Sequence, residues 1–176
     1  MNLNDELKKI VGLSFKRCGF KRVSQKWVLE GEGCYLIFIF DWSRNSDSYY
    51  FRVCFWFPEI EPLPEKLPHS GGYHMSAELA DIVTNAEDLE LQFSNRGGYH
   101  APADERVRII GSLSDSVVSS LAENWSSVSL IKEKYFCGLL KKAGISFKVR
   151  EYFGDTEWLE NRVRPDGEIT IHVPDE

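Results

Sequence analysis

A tetrapeptide of chemically capable residues occurs twice in this 176-residue chain, as Gly71-Gly72-Tyr73-His74 and Gly97-Gly98-Tyr99-His100. A glycine pair opens backbone conformations closed to other residues, and each copy then presents a phenol and an imidazole side by side. If the two loops converge, His74 and His100 could exchange protons near neutral pH with Tyr73 and Tyr99 beside them. With a carboxylate such as Asp104 they could instead hold a metal ion, although two histidines without a third spaced ligand are a thin metal signature. The flanks differ, Met75-Ser76-Ala77-Glu78 after one copy and Ala101-Pro102-Ala103-Asp104 after the other, so no repeat architecture follows. Two polar turns ending on aromatic residues account for the letters equally well.

Other chemistry is poorly represented. The chain has no G-x-G-x-x-G, no G-x-x-x-x-G-K-[ST], no G-x-S-x-G and no H-E-x-x-H, so the common nucleotide, hydrolase and zinc-protease signatures are absent. Cys18, Cys34, Cys54 and Cys137 lie far apart and form no C-x-x-C pair, which predicts buried, reduced thiols with no zinc or redox role. No cofactor and no metal is implied.

Charge narrows the partners. The formal net charge of −6 argues against nucleic acid or an anionic membrane surface, which are held by clustered Lys and Arg, and suits a basic protein. The cations of Arg17, Lys21 and Arg22 and of Lys141 and Lys142 are accounted for by helix ends. No apolar run approaches the roughly 20 residues that span a bilayer. The start, Met1-Asn2-Leu3-Asn4-Asp5, opens an acidic amphipathic helix and not a basic leader, so a cytoplasmic chain is expected.

Two further groupings are candidate partner-binding residues. Asp41 interrupts an apolar strand beside Trp42 and Arg44, and Arg52 on the next strand lies within pairing reach of it. An exposed aromatic there would make a binding anchor, whereas Trp27, Trp42 and Trp56 are by default core. Between residues 58 and 72, Pro58, Pro62, Pro64 and Pro68 exclude a regular helix or central strand, and Glu59, Glu61 and Glu65 sit among them. An ordered surface loop and an extended acidic arm are both open.

The elements that must position these residues read as follows. Residues 2–17 place Leu3, Leu7, Ile10, Val11 and Phe15 on one face of a helix with a basic last turn, and Gly19 stands where a left-handed residue would end it, Phe20 folding back. Residues 21–29, 35–42 and 49–57 read as three antiparallel strands, the last two joined by a short polar hairpin loop. Both faces of these strands are apolar or aromatic, so later helices or a partner must cover the second. Residues 75–83 read as a short helix and 89–93 as a fourth strand. Helices follow from Leu113, Val117, Leu121 and Trp125, and from Ile131, Tyr135, Leu139 and Leu140 up to Lys141-Lys142-Ala143-Gly144. A short helix over 156–161 and a Pro165-Asp166-Gly167 turn into a strand at 169–173 close the chain. The expected fold is one α+β domain over residues 1–176, a mostly antiparallel sheet of four to six strands packed with an N-terminal helix and C-terminal helices.

The order of helix, Lys16-Arg17-Cys18-Gly19-Phe20-Lys21-Arg22, Trp27, Phe38-Ile39-Phe40-Asp41-Trp42-Ser43 and Tyr50-Phe51-Arg52-Val53 resembles the bacterial family catalogued as domain of unknown function 4304. The resemblance covers residues 3–57. Gly19, Phe20, Trp27, Ser43 and Phe51 fall on the family pattern, while Asp41 stands where that family usually carries Gln. The family has no established activity, and members beside polymorphic toxins are regarded as immunity proteins. The resemblance therefore implies a stoichiometric inhibitor of a toxin. The expectation is a non-enzymatic binding protein using Asp41, Trp42, Arg44, Glu59, Glu61, Glu65, Tyr73, His74, Tyr99 and His100 against a basic partner. The alternative is an uncommon hydrolase or metal-binding enzyme built on His74 and His100.

Overall fold

Leu7, Val11 and Phe15 recur every four residues, and all three are fully buried on one face of α1 (Leu3–Arg17). In the computed structural model, which describes residues 3–43, 48–68, 71–93 and 103–160, this helix ends as expected. Gly19 has φ +84°, the Phe20 N–H donates to the Phe15 carbonyl at 2.9 Å, and the Gly19 N–H donates to Lys16 at 3.1 Å. That pair of bonds is a Schellman cap, closed by the Phe15 and Phe20 rings at 4.9 Å. A Cβ on Gly19 would meet only Leu29 Cδ1, at 3.6 Å, so the penalty of a side chain is conformational and not steric. Gly19→Ala should therefore destabilise the fold by about 1 kcal/mol, read as a lower urea midpoint with unchanged slope. An Ala variant as stable as the parent would exclude the cap.

The sheet is a six-stranded antiparallel meander in chain order: β1 (Lys21–Val23), β2 (Lys26–Glu30), β3 (Tyr35–Ser43), β4 (Ser48–Trp56), β5 (Met75–Glu78) and β6 (Gly144–Ile145). Trp27, Leu36, Phe38, Phe51, Val53, Phe55, Met75 and Ala77 are buried on one face. There they meet α1 and the long helix α4 (Ala103–Trp125), which pack on each other. Ser14 Oγ donates to Asp115 Oδ1 across that contact at 2.5 Å, and Arg17 pairs with the same carboxylate. The remaining helices are α2 (Leu79–Ile82), α3 (Ala86–Leu91), α5 (Val128–Phe136), α6 (Phe147–Phe153) and α7 (Thr156–Glu160).

Among the described residues the second sheet face is covered from within the chain, and by a loop segment in place of the later helices that its apolar character suggested. The proline-rich segment 58–68 folds back over it as a strap. Leu63, Leu67 and Tyr73 pack on Val28, Ile37, Ile39, Cys54 and Trp56 as a second, smaller core. The Trp56 indole donates to the Glu61 carbonyl at 2.7 Å, the Tyr73 hydroxyl donates to Pro68 at 2.6 Å, and the buried Lys26 ammonium donates to the carbonyls of Leu67 and Pro68. An ordered loop, and not an extended arm, is the outcome.

Several local expectations are corrected. Residues 21–29 form two strands, because Ser24 takes φ +57° and turns the chain between Val23 and Lys26. Residues 75–83 begin as β5 before the short α2, and 89–93 fall in and just after α3, not in a strand. Helix α4 begins ten residues before Leu113. The following helix stops at Phe136, Gly138 turns the chain at φ +77°, and Gly144 opens β6 in place of capping a helix. Cys34 and Cys54 are buried as expected, Cys18 is half-buried, and Cys137 is exposed; all four are free. Residues 165–173 lie outside the described residues.

Candidate functional site

His74 is enclosed. It follows the Gly71-Gly72 turn, both glycines at φ +73°, and enters β5 with its ring stacked on Trp56, centroids 4.1 Å apart at 22°. Its Nδ1 accepts the Phe57 N–H at 2.9 Å, which leaves the proton of the neutral ring on Nε2. That Nε2 is buried, has no hydrogen bond among the described residues, and lies 4.0 Å from Glu61 Oε2, which Lys148 also approaches at 3.3 Å. Burial lowers the His74 pKa, Glu61 raising it and Lys148 lowering it in smaller measure. A ring so placed, with one nitrogen committed to the backbone, is a neutral structural group and not an exposed base. Tyr73 is buried beside it with its hydroxyl committed to Pro68.

The other expected residues are dispersed. Glu59 and Glu61 are exposed, accepting from Tyr152 at 2.8 Å and from Lys148, while Glu65 is exposed on the strap. Burial, then the Glu59 hydrogen bond, pushes the Tyr152 hydroxyl up to about 12. Asp41 and Trp42 lie in β3 opposite Tyr50 and Tyr49, so Asp41 and Arg52 are offset by two residues across the ladder. Asp104 is exposed in the first turn of α4, and Trp27 and Trp56 are core residues as expected. Arg44, Tyr99 and His100 lie outside the described residues, so convergence of the two Gly-Gly-Tyr-His segments does too. Among the described residues no three His, Cys, Asp or Glu groups are placed to hold a metal ion.

Polar clusters near the C-terminal helices are explained by capping. Asp155 accepts the Trp158 N–H at 3.1 Å at the start of α7, and its other oxygen takes the Tyr135 hydroxyl and faces Arg150 at 3.5 Å. The Tyr135 hydrogen bond is the main cause that holds the Asp155 pKa down. Arg150 also lies over the Trp158 ring, 4.7 Å from its centroid. These contacts anchor α5, α6 and α7 to one another.

An open groove of about 560 Å³ lies between the β2–β3 link and the junction of α4 with α5. Cys18, Leu29, Ala122 and Leu130 give it an apolar lining, and Glu30, Glu32 and Glu123 add three exposed carboxylates. Among the described residues none of the three forms an ion pair. Backbone holds the walls together: the Glu32 N–H donates to Ser126 at 2.8 Å, and the Val128 N–H donates to Glu32 at 3.0 Å. Ser127 caps α5, its hydroxyl accepting the Leu130 N–H at 3.2 Å. Beside the groove, burial and then Glu32 push the Cys34 thiol up to about 12, so it is no nucleophile at neutral pH. Glu30, Glu32 and Glu123 were not singled out in the sequence. The Glu30-Gly31-Glu32-Gly33 run was a signal for two of them, but nothing local joins Glu123 to it.

No protein-family model, curated protein or solved structure matches the chain. Among the described residues, no helix is long and apolar enough to cross a membrane.

Proposed function

We propose that the chain is a non-enzymatic binding protein that docks a basic protein. An immunity protein that neutralises a toxin stoichiometrically is the form of this reading that the resemblance of residues 3–57 favours. The observation that carries it is the groove, whose three carboxylates form no ion pair among the described residues, on a chain of net charge −6. An Arg or Lys of a partner would lay its aliphatic stem on Leu29 and Leu130 and its charge among Glu30, Glu32 and Glu123. Complementary charge speeds encounter and penalises acidic competitors.

Capture of partners from the native host, identified by mass spectrometry, tests the reading. It is paired with the combined variant Glu30→Gln, Glu32→Gln and Glu123→Gln. All three positions are exposed, so the fold should be unaffected. A basic protein should be recovered with the parent, and the variant should associate roughly tenfold more slowly at low salt, with the difference shrinking as salt rises. Binding untouched by the triple change would move the interface elsewhere. No partner, together with no protection against a neighbouring toxin gene, would end the reading.

A further inference from the structure

The strap, residues 58–68, is tied down at both ends, and the ties differ in kind. At the far end Lys26 and Tyr73 hold the carbonyls of Leu67 and Pro68. At the near end the Phe57 N–H, where the strap leaves β4, is accepted by His74 Nδ1 at 2.9 Å, and the Phe57 carbonyl takes the N–H groups of Ile60 and Glu61 at 3.0 and 3.2 Å. We propose that His74 is a proton-operated latch for this strap: the neutral ring holds it closed, and protonation releases it from the second face of the sheet.

The reason is the hydrogen bond itself. A neutral imidazole can accept at Nδ1, but an imidazolium carries a proton on both nitrogens and accepts at neither. Protonation in place would set an Nδ1–H against the Phe57 N–H and leave a buried backbone donor without a partner. The ring has little freedom to escape, with Trp56 stacked on one side, Phe57 parallel at 6.0 Å, and a side chain 5% exposed. Among the described residues the charged groups that bear on it are Glu61 from the strap and Lys148 from α6; the end of β4 presents Trp56, and Phe57 follows it. Glu61 is a poor counter-ion, because its carboxylate is 4.0 Å from Nε2 and already takes Lys148. Turning the ring outward relieves the conflict by undoing the near tie. Release would uncover Val28, Ile37, Ile39, Cys54 and Trp56, a sticky apolar face.

The sign follows from linkage. Burial lowers the His74 pKa in the closed state below 6.5, so the open state binds more protons and the strap loosens as pH falls through and below that value. Glu90 titrates in the opposite sense. Burial, above all, raises its pKa to about 7, with Glu78, Glu87 and Asp81 adding to the rise and the Phe51 N–H opposing it, so its protonation favours the folded state. Acid loosening confined to the strap therefore cannot come from Glu90.

Hydrogen exchange read by mass spectrometry, corrected for intrinsic exchange, tests this on the intact chain. Between about pH 7.5 and about pH 5, protection of the Phe57, Ile60 and Glu61 amides should fall roughly tenfold while β3 keeps its protection. In His74→Asn the side-chain oxygen replaces Nδ1 as acceptor and does not titrate, so the pH dependence of the strap should vanish. Glu61→Gln removes the counter-ion and should deepen the acid loss. A strap whose protection is flat across this range in the parent would overturn the latch. So would joint loss from strap and β3, full pH dependence in His74→Asn, or its abolition in Glu61→Gln.

Discussion

Phe51→Ala should lose about 3–5 kcal/mol of stability, since a large ring is removed from a site that cannot collapse around the void. Phe51 is fully buried in β4, with ring centroids 5.5 Å from Phe38, 5.0 Å from Phe40 and 5.2 Å from Phe93. Those neighbours belong to β3 and to the residues just after α3, so one ring joins the centre of the sheet to the helical layer. Its backbone is engaged as well: β5 pairs with β4 only as far as Arg52, and the Glu90 carboxylate accepts the Phe51 N–H at 3.0 Å beyond that point. Thermal unfolding should show a midpoint roughly 6–20 °C lower, and Phe51→Leu should cost only about 1.5 kcal/mol by keeping most of the volume. An Ala variant within about 1 kcal/mol of the parent would mean that this aromatic cluster is not the core.

The sheet was legible where side chains alternate without ambiguity. Residues 35–42 and 49–57 became β3 and β4 because their even and odd positions feed two different apolar clusters, as the double-sided pattern required. The Gly19 cap was legible for a different reason, a local rule that needs only the residues it contains. Where two periods fit the same letters, the letters alone do not choose between strand and helix. Leu89, Leu91 and Phe93 alternate like a strand, but Ala86, Leu89 and Phe93 also recur at three and four residues, and the chain is helical there. The 60% exposure of Leu91, against full burial of Phe93, shows which period the core uses. Ser24-Gln25 lacks the Asn-Gly or Asp-Gly letters that mark a two-residue hairpin, so the β1–β2 turn went unread.

The candidate site was less legible than the fold, and the reason is distance along the chain. The acidic prolines-and-glutamates segment was recognised as exceptional, but not that its Leu63 and Leu67 would supply the missing cover for the sheet. Hydrophobic letters among prolines carry no period, so their partner cannot be inferred locally. Likewise the glycine pair before Tyr73 and His74 says that a phenol and an imidazole stand side by side but not which way they face, and both are turned inward to fasten the strap. The groove needs the β2–β3 link beside a helix junction more than ninety residues later, a contact that no short motif encodes.

Gly31→Ala should be damaging at that contact, by about 3 kcal/mol or more, because the obstruction is backbone and not a side chain that can swing aside. A Cβ on Gly31 would lie 2.0 Å from the Ser126 carbonyl oxygen and 2.8 Å from its carbon. The Ser126 oxygen is already the acceptor for the Glu32 N–H, and a parallel bridge joins Glu32 to Ser127. To admit one methyl group the β2–β3 link must part from the end of α4, breaking that bridge and spreading the groove that carries Glu30, Glu32 and Glu123. Gly33→Ala, two residues on, is the control: φ there is +71° and the new atom would meet only the Val128 side chain, at 3.1 Å, so about 1 kcal/mol is expected. Urea unfolding should rank the two in that order, with a thermal midpoint for Gly31→Ala lowered by roughly 6–12 °C. If the two substitutions prove equally mild, the link does not sit against α4 as closely as this, and the groove loses the wall on which the binding proposal depends.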